Sequence, residues 1–220
     1  MSNAISTQGT RFEVQAAAAG SAKTITAITK ANPGVFSSTA HGLKVGDVVD
    51  LAAIVGMVEL NGRTGIVSPT TLAAGTFTLL DSITGLPIDT TSYTTYTSGG
   101  TATPKTFVET IEHKSYQYQP AARAEIEKTS MVSTAKEFNL GLKDFGTLSV
   151  GMNIVKTEAA QIRMNAALNL QGLWFRLTDP LGVPTLFQGA IKSFSESGGV
   201  DAIANGSLEV RLSGEKIIAQ

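Results

Sequence analysis

Residues 147–154 constrain this chain more than any other stretch, because apolar and polar side chains alternate there without a break. Thr147-Leu148-Ser149-Val150-Gly151-Met152-Asn153-Ile154 has the period of two that a half-buried strand requires. Leu148, Val150, Met152 and Ile154 are expected on one face, and Thr147, Ser149, Gly151 and Asn153 on the other. The second face is small and polar, as suits a wall that is wetted or closely approached by another backbone. Upstream, residues 137–146 read as a shorter strand and a turn at Lys143-Asp144. Downstream, residues 157–170 read as a helix whose Ala160, Ile162, Met164, Ala167 and Leu168 share an arc that can lie against a sheet. Thr157 is placed as its N-cap, and Glu158 suits the helix dipole in the first turn. Gly172 ends the helix, and Leu173, Phe175 and Leu177 resume strand alternation. Nothing in this stretch has the makings of a reaction centre, which favours a structural protein over an enzyme.

Composition narrows the classes further. Charged residues make up 16% of the 220 and the formal net charge is -1, so no basic field argues for holding nucleic-acid phosphates. Cysteine is absent, which removes disulfides, thiolate metal sites and cysteine nucleophiles. No run reaches the roughly 20 apolar residues of a membrane-spanning helix. The opening MSNAISTQGTRFEV lacks the basic and apolar regions of a signal peptide. No membrane anchor is expected, and synthesis in a cytosol is.

Along the chain the texture changes twice. Residues 7–15 read as a first strand, with Phe12 and Val14 opposite Arg11 and Glu13, and residues 16–21 as a linker closed by Gly20 and Ser21. From 23 to 102 the chain is rich in Thr, Gly and Val, with short strands expected at 24–29, 34–38, 47–51, 63–67 and 76–80. Asn32-Pro33-Gly34, His41-Gly42, Val45-Gly46-Asp47, Asn61-Gly62 and Ala74-Gly75 punctuate them, the rhythm of a small all-β module. Beyond Pro104 the segments lengthen: 106–118, 123–132, 137–154, the helix, 172–178, and a hairpin of 184–196 with 203–218. Trp174 is expected half-buried at a barrel or subunit edge. Residues 113–136 read either as a long solvated hairpin or as an arm that docks on another copy of the chain. Tyr116, Tyr118, Arg123, Glu125, Glu127 and Lys128 would then form the interface, since aromatics and Arg are favoured at such surfaces.

Matches to catalytic motifs dissolve on inspection. Asp144-Phe145-Gly146 spells a kinase metal-binding triplet, but no glycine-rich loop, strand lysine or His-Arg-Asp accompanies it. Asn205-Gly206-Ser207 has the glycosylation pattern, yet a turn without a secretory signal explains it better. His41 and His113 are the only histidines and lie in different halves, with no carboxylate at ligand spacing. No catalytic, metal-binding or cofactor-binding residue is assigned, and no cofactor is expected.

Two resemblances can then be named. Residues 28–80 carry Ser38-Thr39-Ala40-His41-Gly42-Leu43, Gly46-Asp47, Gly56-Met57, Glu59-Leu60-Asn61-Gly62-Arg63-Thr64 and Thr76-Phe77-Thr78-Leu79. In that order they resemble the small β-barrel module found beside the catalytic-cysteine domain of ubiquitin-activating enzymes, a pattern that recurs in phage structural proteins. No ubiquitin chemistry comes with it, since the module has no cysteine. The remainder resembles the tail tube proteins of long, flexible-tailed phages. That likeness rests on Ala4-Ile5-Ser6-Thr7-Gln8-Gly9-Thr10, Ile111-Glu112, Gly141-Leu142-Lys143-Asp144-Phe145-Gly146, the helix 158–168 and residues 206–214. The fold implied is mainly β, an antiparallel barrel or sandwich with one packed helix (residues 1–18 and 104–220) and a small inserted all-β module (22–103).

The function implied is structural. Six subunits form a ring, rings stack into a hollow tube that passes DNA without binding it specifically, and the long hairpin touches the neighbouring ring. Thr147, Ser149, Gly151 and Asn153 are the expected lumen lining. The partners implied are further copies of the chain and other tail proteins such as tape measure and terminator. The place implied is a virion tail assembled in the host cytoplasm. Two alternatives stay open, the tube of a contractile secretion apparatus and a phage surface or carbohydrate-binding module with Tyr93, Tyr96 and the Thr-rich loops as its platform.

Overall fold

The alternation at 147–154 becomes a strand with one dry face: Leu148, Val150 and Met152 are fully buried while Thr147, Ser149, Gly151 and Asn153 are half-exposed. A computed structural model describes residues 7–120 and 123–220; residues 1–6, with Ala4, Ile5 and Ser6 of the first tail-tube motif, and 121–122 lie outside the described residues. The first half contains β1 (Arg11–Ala19), β2 (Lys23–Thr24), β3 (Ala27–Ile28), β4 (Val35–Ser37), β5 (Val48–Val55), β6 (Thr64–Val67), β7 (Thr76–Asp81) and β8 (Ser98–Thr110). Then come β9 (His113–Gln119), β10 (Glu125–Glu127), β11 (Phe138–Leu140), β12 (Thr147–Asn153), α1 (Ala159–Ala166), β13 (Leu173–Thr178), β14 (Pro184–Ser197), β15 (Asn205–Leu212) and β16 (Ile217–Ile218). The protein is mainly β, antiparallel, with one α-helix among the described residues and a single 3-10 turn at Val58–Leu60, in line with the sequence reading.

Hydrogen bonding orders the strands β3-β4-β7-β6-β5-β8-β1-β13-β14-β15-β12-β9. In the second part of this series, β8 and β9 stand at opposite ends, yet only Ile111 and Glu112 separate them in the chain. Those strands must therefore curl until their ends meet, and the inside of the curl is the main core. Phe12, Val14, Leu148, Val150, Phe175, Phe187, Leu208 and Val210 fill it, and Ala160 and Met164 of α1 pack against it. A second core lies among β3 to β8, built from Ile25, Phe36, Val49, Leu51, Leu60, Phe77 and Leu79. His41 is clamped into that region. Its Nδ1 accepts the Leu43 N–H at 3.0 Å, so Nε2 carries the proton and donates to the Ala73 carbonyl at 2.7 Å, with Phe77 against the ring.

The two cores share a strand and a joint. β8 pairs with β5 from Ser98 to Pro104 and with β1 from Lys105 to Thr110. Trp174, Leu186, Ile217 and Ala219 from one side meet Val48, Ile66 and Leu80 from the other in a third apolar cluster. Arg176 spans the same joint. It donates to both Glu13 oxygens (2.6 and 3.0 Å) and to Asp47 (3.2 Å), and its guanidinium lies 4.4 Å from the centre of the Phe107 ring. Gly46, at φ +80°, comes so close to Pro184 that a Cβ would collide with the proline ring.

Four expectations change here. Ala16 to Ala19 continue β1 past a bulge, with Ala19 opposite Lys105, so they are strand rather than linker. Trp174 is only 1% exposed and occupies the joint instead of an edge. The helix is shorter than residues 157–170, and its N-cap is Glu158, whose side chain makes no capping bond. Ile162 (54% exposed) and Leu168 face outward, while Gln161 is buried in their stead. Gln161 holds that place through hydrogen bonds: its Oε1 accepts the Val155 N–H at 2.9 Å, and its Nε2 donates to the Asn153 carbonyl at 2.8 Å.

The joint predicts one folding unit. Trp174→Ala should lower stability by about 3–5 kcal/mol, the usual cost of emptying a large aromatic site, and should leave a single cooperative denaturation curve. Two separated transitions in the parent protein, or a loss below about 1 kcal/mol, would mean that the cluster does not couple the halves.

Candidate functional site

The polar face of β12 is one row of a larger surface. Register places Gln119 and Arg211 on either side of Thr147, Gln117 and Glu209 beside Ser149, and Ser115 and Ser207 beside Gly151. The rows extend onto β14, where Ser193, Ser195 and Ser197 stand opposite Glu209, Ser207 and Asn205. Directly paired residues share a face, so β9, β12, β15 and the last third of β14 form a four-stranded wall of polar side chains. Glu209 sits in it with Lys192 at 2.8 Å, and that hydrogen bond holds its carboxyl below the usual range. The expected set Thr147, Ser149, Gly151 and Asn153 is thus brought together in the middle of the wall. Its neighbours on β9 were readable from the alternation of Ser115, Gln117 and Gln119 with Tyr116 and Tyr118. Those on β14 were hidden by a bulge between Ile191 and Ser193 that shifts the register.

The wall ends in two free edges, and they are different strands. Among the described residues β9 pairs only with β12. On the other side, β13 accompanies β14 only as far as Gly189, so, among the described residues, 192–197 have no strand partner other than β15. Successive antiparallel steps make β9 antiparallel to β14.

Residues 123–143 form a projecting arm. β10 and β11 form their own two-stranded sheet, with Glu125 opposite Leu140, Ile126 opposite Asn139 and Glu127 opposite Phe138. None of these six residues is buried. Ile126, Met131, Val132, Phe138, Leu140 and Leu142 are all exposed. The base is fastened by ion pairs of Lys143 with Glu215 and of Asp144 with Arg211. The Asp144 carboxylate also accepts the Gly146 N–H at 2.9 Å, and this bond, with Arg211 behind it, holds the acid below its ordinary range.

The six residues expected to form one interface are therefore divided. Arg123, Glu125, Glu127 and Lys128 are on the arm. Tyr116 and Tyr118 are in β9, opposite Val150 and Leu148; Tyr116 is exposed and Tyr118 is half-buried against the main core. Tyr118 lies 5.5 Å from the Phe187 ring, with the Lys216 ammonium 5.4 Å from its own, so it is part of the subunit's core rather than of a docking tip. His113 is fixed to backbone, with its ring nitrogens 2.8 Å from the Thr110 and Thr10 carbonyls. Among the described residues no three His, Cys, Asp or Glu side chains gather as metal ligands would, and no helix is long and apolar enough to cross a membrane.

Comparison with known families adds one finding. Residues 33–105, about a third of the chain, are similar to the ubiquitin-activating enzyme E1 FCCH domain. This supports the likeness read from His41-Gly42 and Leu60-Asn61-Gly62. No curated protein sequence matches the chain.

Acid should loosen the arm at its base. Because Asp144 is held low when folded, its contribution is present above the unfolded carboxylate value and is lost as pH falls through the folded one, below about pH 4. Protection of the Gly146 amide against hydrogen exchange should fall over that window, and Asp144→Ala should lack it already at neutral pH. Equal protection in the variant would remove Asp144 as the anchor.

Proposed function

We propose that this chain is a structural subunit of a phage tail tube, acting through assembly rather than catalysis. The carrying observation is the four-stranded polar wall with two unlike free edges. A contact between β9 of one copy and residues 192–197 of β14 in the next is heterologous, and a heterologous contact whose rotation closes makes a ring. The pairing keeps the antiparallel order across the seam, so a ring of copies is one continuous barrel. With six copies, as the tail tube resemblance implies, it would have roughly two dozen strands. Barrels of about 16–18 strands already enclose an aqueous channel.

The wall's chemistry supports the lumen reading. Its rows are mostly Ser, Thr, Gln and Asn, and Glu209 and Arg211 are each neutralised by a neighbour. DNA phosphates are retained by clustered Lys and Arg, so such a lining would let a duplex pass without holding it. Other tail proteins, among them a tape measure and a terminator, would cap and measure the tube, and the place of action would be the virion after assembly in the host cytoplasm. The FCCH-like part would ride on the outside: it meets β8, β13 and the start of β14, whereas the wall is built from β9, β12, β15 and the end of β14.

Negative-stain microscopy of concentrated protein is the direct test, with hollow rings or tubes expected and only monomers opposed. A seam test is sharper. Gln117→Lys with Ser195→Lys should suppress rings, because like charges would face each other across β9 and β14, and salt should partly restore them. Gln117→Lys with Ser195→Glu should assemble; cross-strand pairs of this kind contribute about 0.2–1 kcal/mol each. Equal assembly of both variants would place the seam elsewhere.

A further inference from the structure

Beside the joint a cleft of about 500 Å³ opens between the 42–47 loop and the strands β1, β8 and β13. Glu13, Phe107 and Arg176 line it and alternate along their strands with Phe12, Val14, Val108, Phe175 and Leu177 of the main core. The cleft therefore lies on the outer side of the curl. Clefts of roughly 300–1,000 Å³ where two domains meet are a usual seat of small ligands.

Its lining is cationic in a chain whose net charge is -1. Arg11 from β1, Lys44 from the loop, Lys105 from β8 and Arg176 from β13 border it, against the two carboxylates of Glu13 and Asp47. Both of those acids are engaged by Arg176. The acids paired with Arg11 and Lys105 are Glu109 and Asp50, which stand outside the lining with side chains 38% and 48% exposed, so water screens them. Lys44 has no ion-pair partner among the described residues; its backbone N–H, not its ammonium, binds Asp47. Arg176 has five N–H donors, of which Nε and Nη2 serve Glu13 and Nη1 serves Asp47, leaving two uncommitted. Phe107, Pro104 and Pro184 supply apolar wall beside these charges. We infer that the cleft binds a small phosphate monoester, its phosphate held by Lys44, Lys105 and Arg176 and its carbon body against Phe107 and the two prolines. A phosphate monoester carries about -1.5 to -2 charges on three acceptor oxygens, so cations on several segments can meet it together, whereas a carboxylate offers two oxygens in one plane. The cleft belongs to a single copy of the chain, so the inference stands apart from the tube reading.

Calorimetric titration of the full-length protein tests this with phenyl phosphate, inorganic phosphate and benzoate. Phenyl phosphate should saturate a single site per chain, and the other two should bind more weakly. Lys44→Glu should weaken phenyl phosphate by about tenfold or more, the scale of one lost hydrogen bond to a charged group, and Lys44→Gln by a smaller factor. Lys30→Glu, an exposed lysine elsewhere on the FCCH-like part, should bind as the parent does. Melting curves of the Lys44 variants matching the parent tie the loss to the site. Absence of saturable binding, affinity untouched by both Lys44 variants, or an equal loss from Lys30→Glu overturns the site. Inorganic phosphate binding as tightly as phenyl phosphate means an adventitious ion only, and benzoate binding as tightly overturns the choice of phosphate.

Discussion

Everything else in this fold is arranged around β8, the one strand hydrogen-bonded by both halves. Its first part completes the sheet that includes β5, and its last part runs beside β1. A strand is stiff along its length, so the halves cannot swing about it as domains swing on a flexible linker. The joint then locks the remaining freedom. Trp174 and Leu186 need Val48 and Ile66 to be dry, and Arg176 needs both Glu13 and Asp47 to satisfy its fork. Glu13 is buried, and a buried carboxylate without its guanidinium would cost several kcal/mol. The charge pairing therefore fixes orientation more than it adds stability.

The same economy appears in β14. Its first part lies beside β13 and helps to build the joint; past the bulge at Ile191 it turns its serines to the wall. Bulges re-aim a strand at the point where pairing changes, and here the change creates the free edge at residues 192–197. Open edges are usually blunted because they invite pairing with other chains. On the proposed reading, an edge left open on each side of a polar wall is a selective device, provided that only unlike edges match in direction.

How much of this was legible in the sequence follows from where the causes lie. Period-two alternation is local, so the dry face of β12 and the strand rhythm of residues 23–81 could be read directly. The joint could not. Trp174 is buried in part by Val48 and Ile66, more than a hundred positions away, and nothing near it in the chain announces them. Ala16 to Ala19 looked like a linker because alanine has no strand signature; their pairing is imposed by β8. In α1, counting apolar residues put Ile162 inward, whereas hydrogen bonding put Gln161 there. Apolar periodicity cannot register a buried amide that satisfies two backbone groups. The tyrosines of β9 were visible as a pair, but that Tyr118 packs on the core while Tyr116 stays exposed is set by tertiary neighbours such as Phe187.

On the proposed reading, the lateral seam is a strand pairing that must close on itself, so a ring gains its last contact without ordering another molecule. An open arc of copies has one contact fewer than it has copies and still exposes one β9 and one end of β14; closure supplies the missing contact. A closed ring is then favoured over arcs without any single seam being strong, and the two edges that would pair with other chains are removed together.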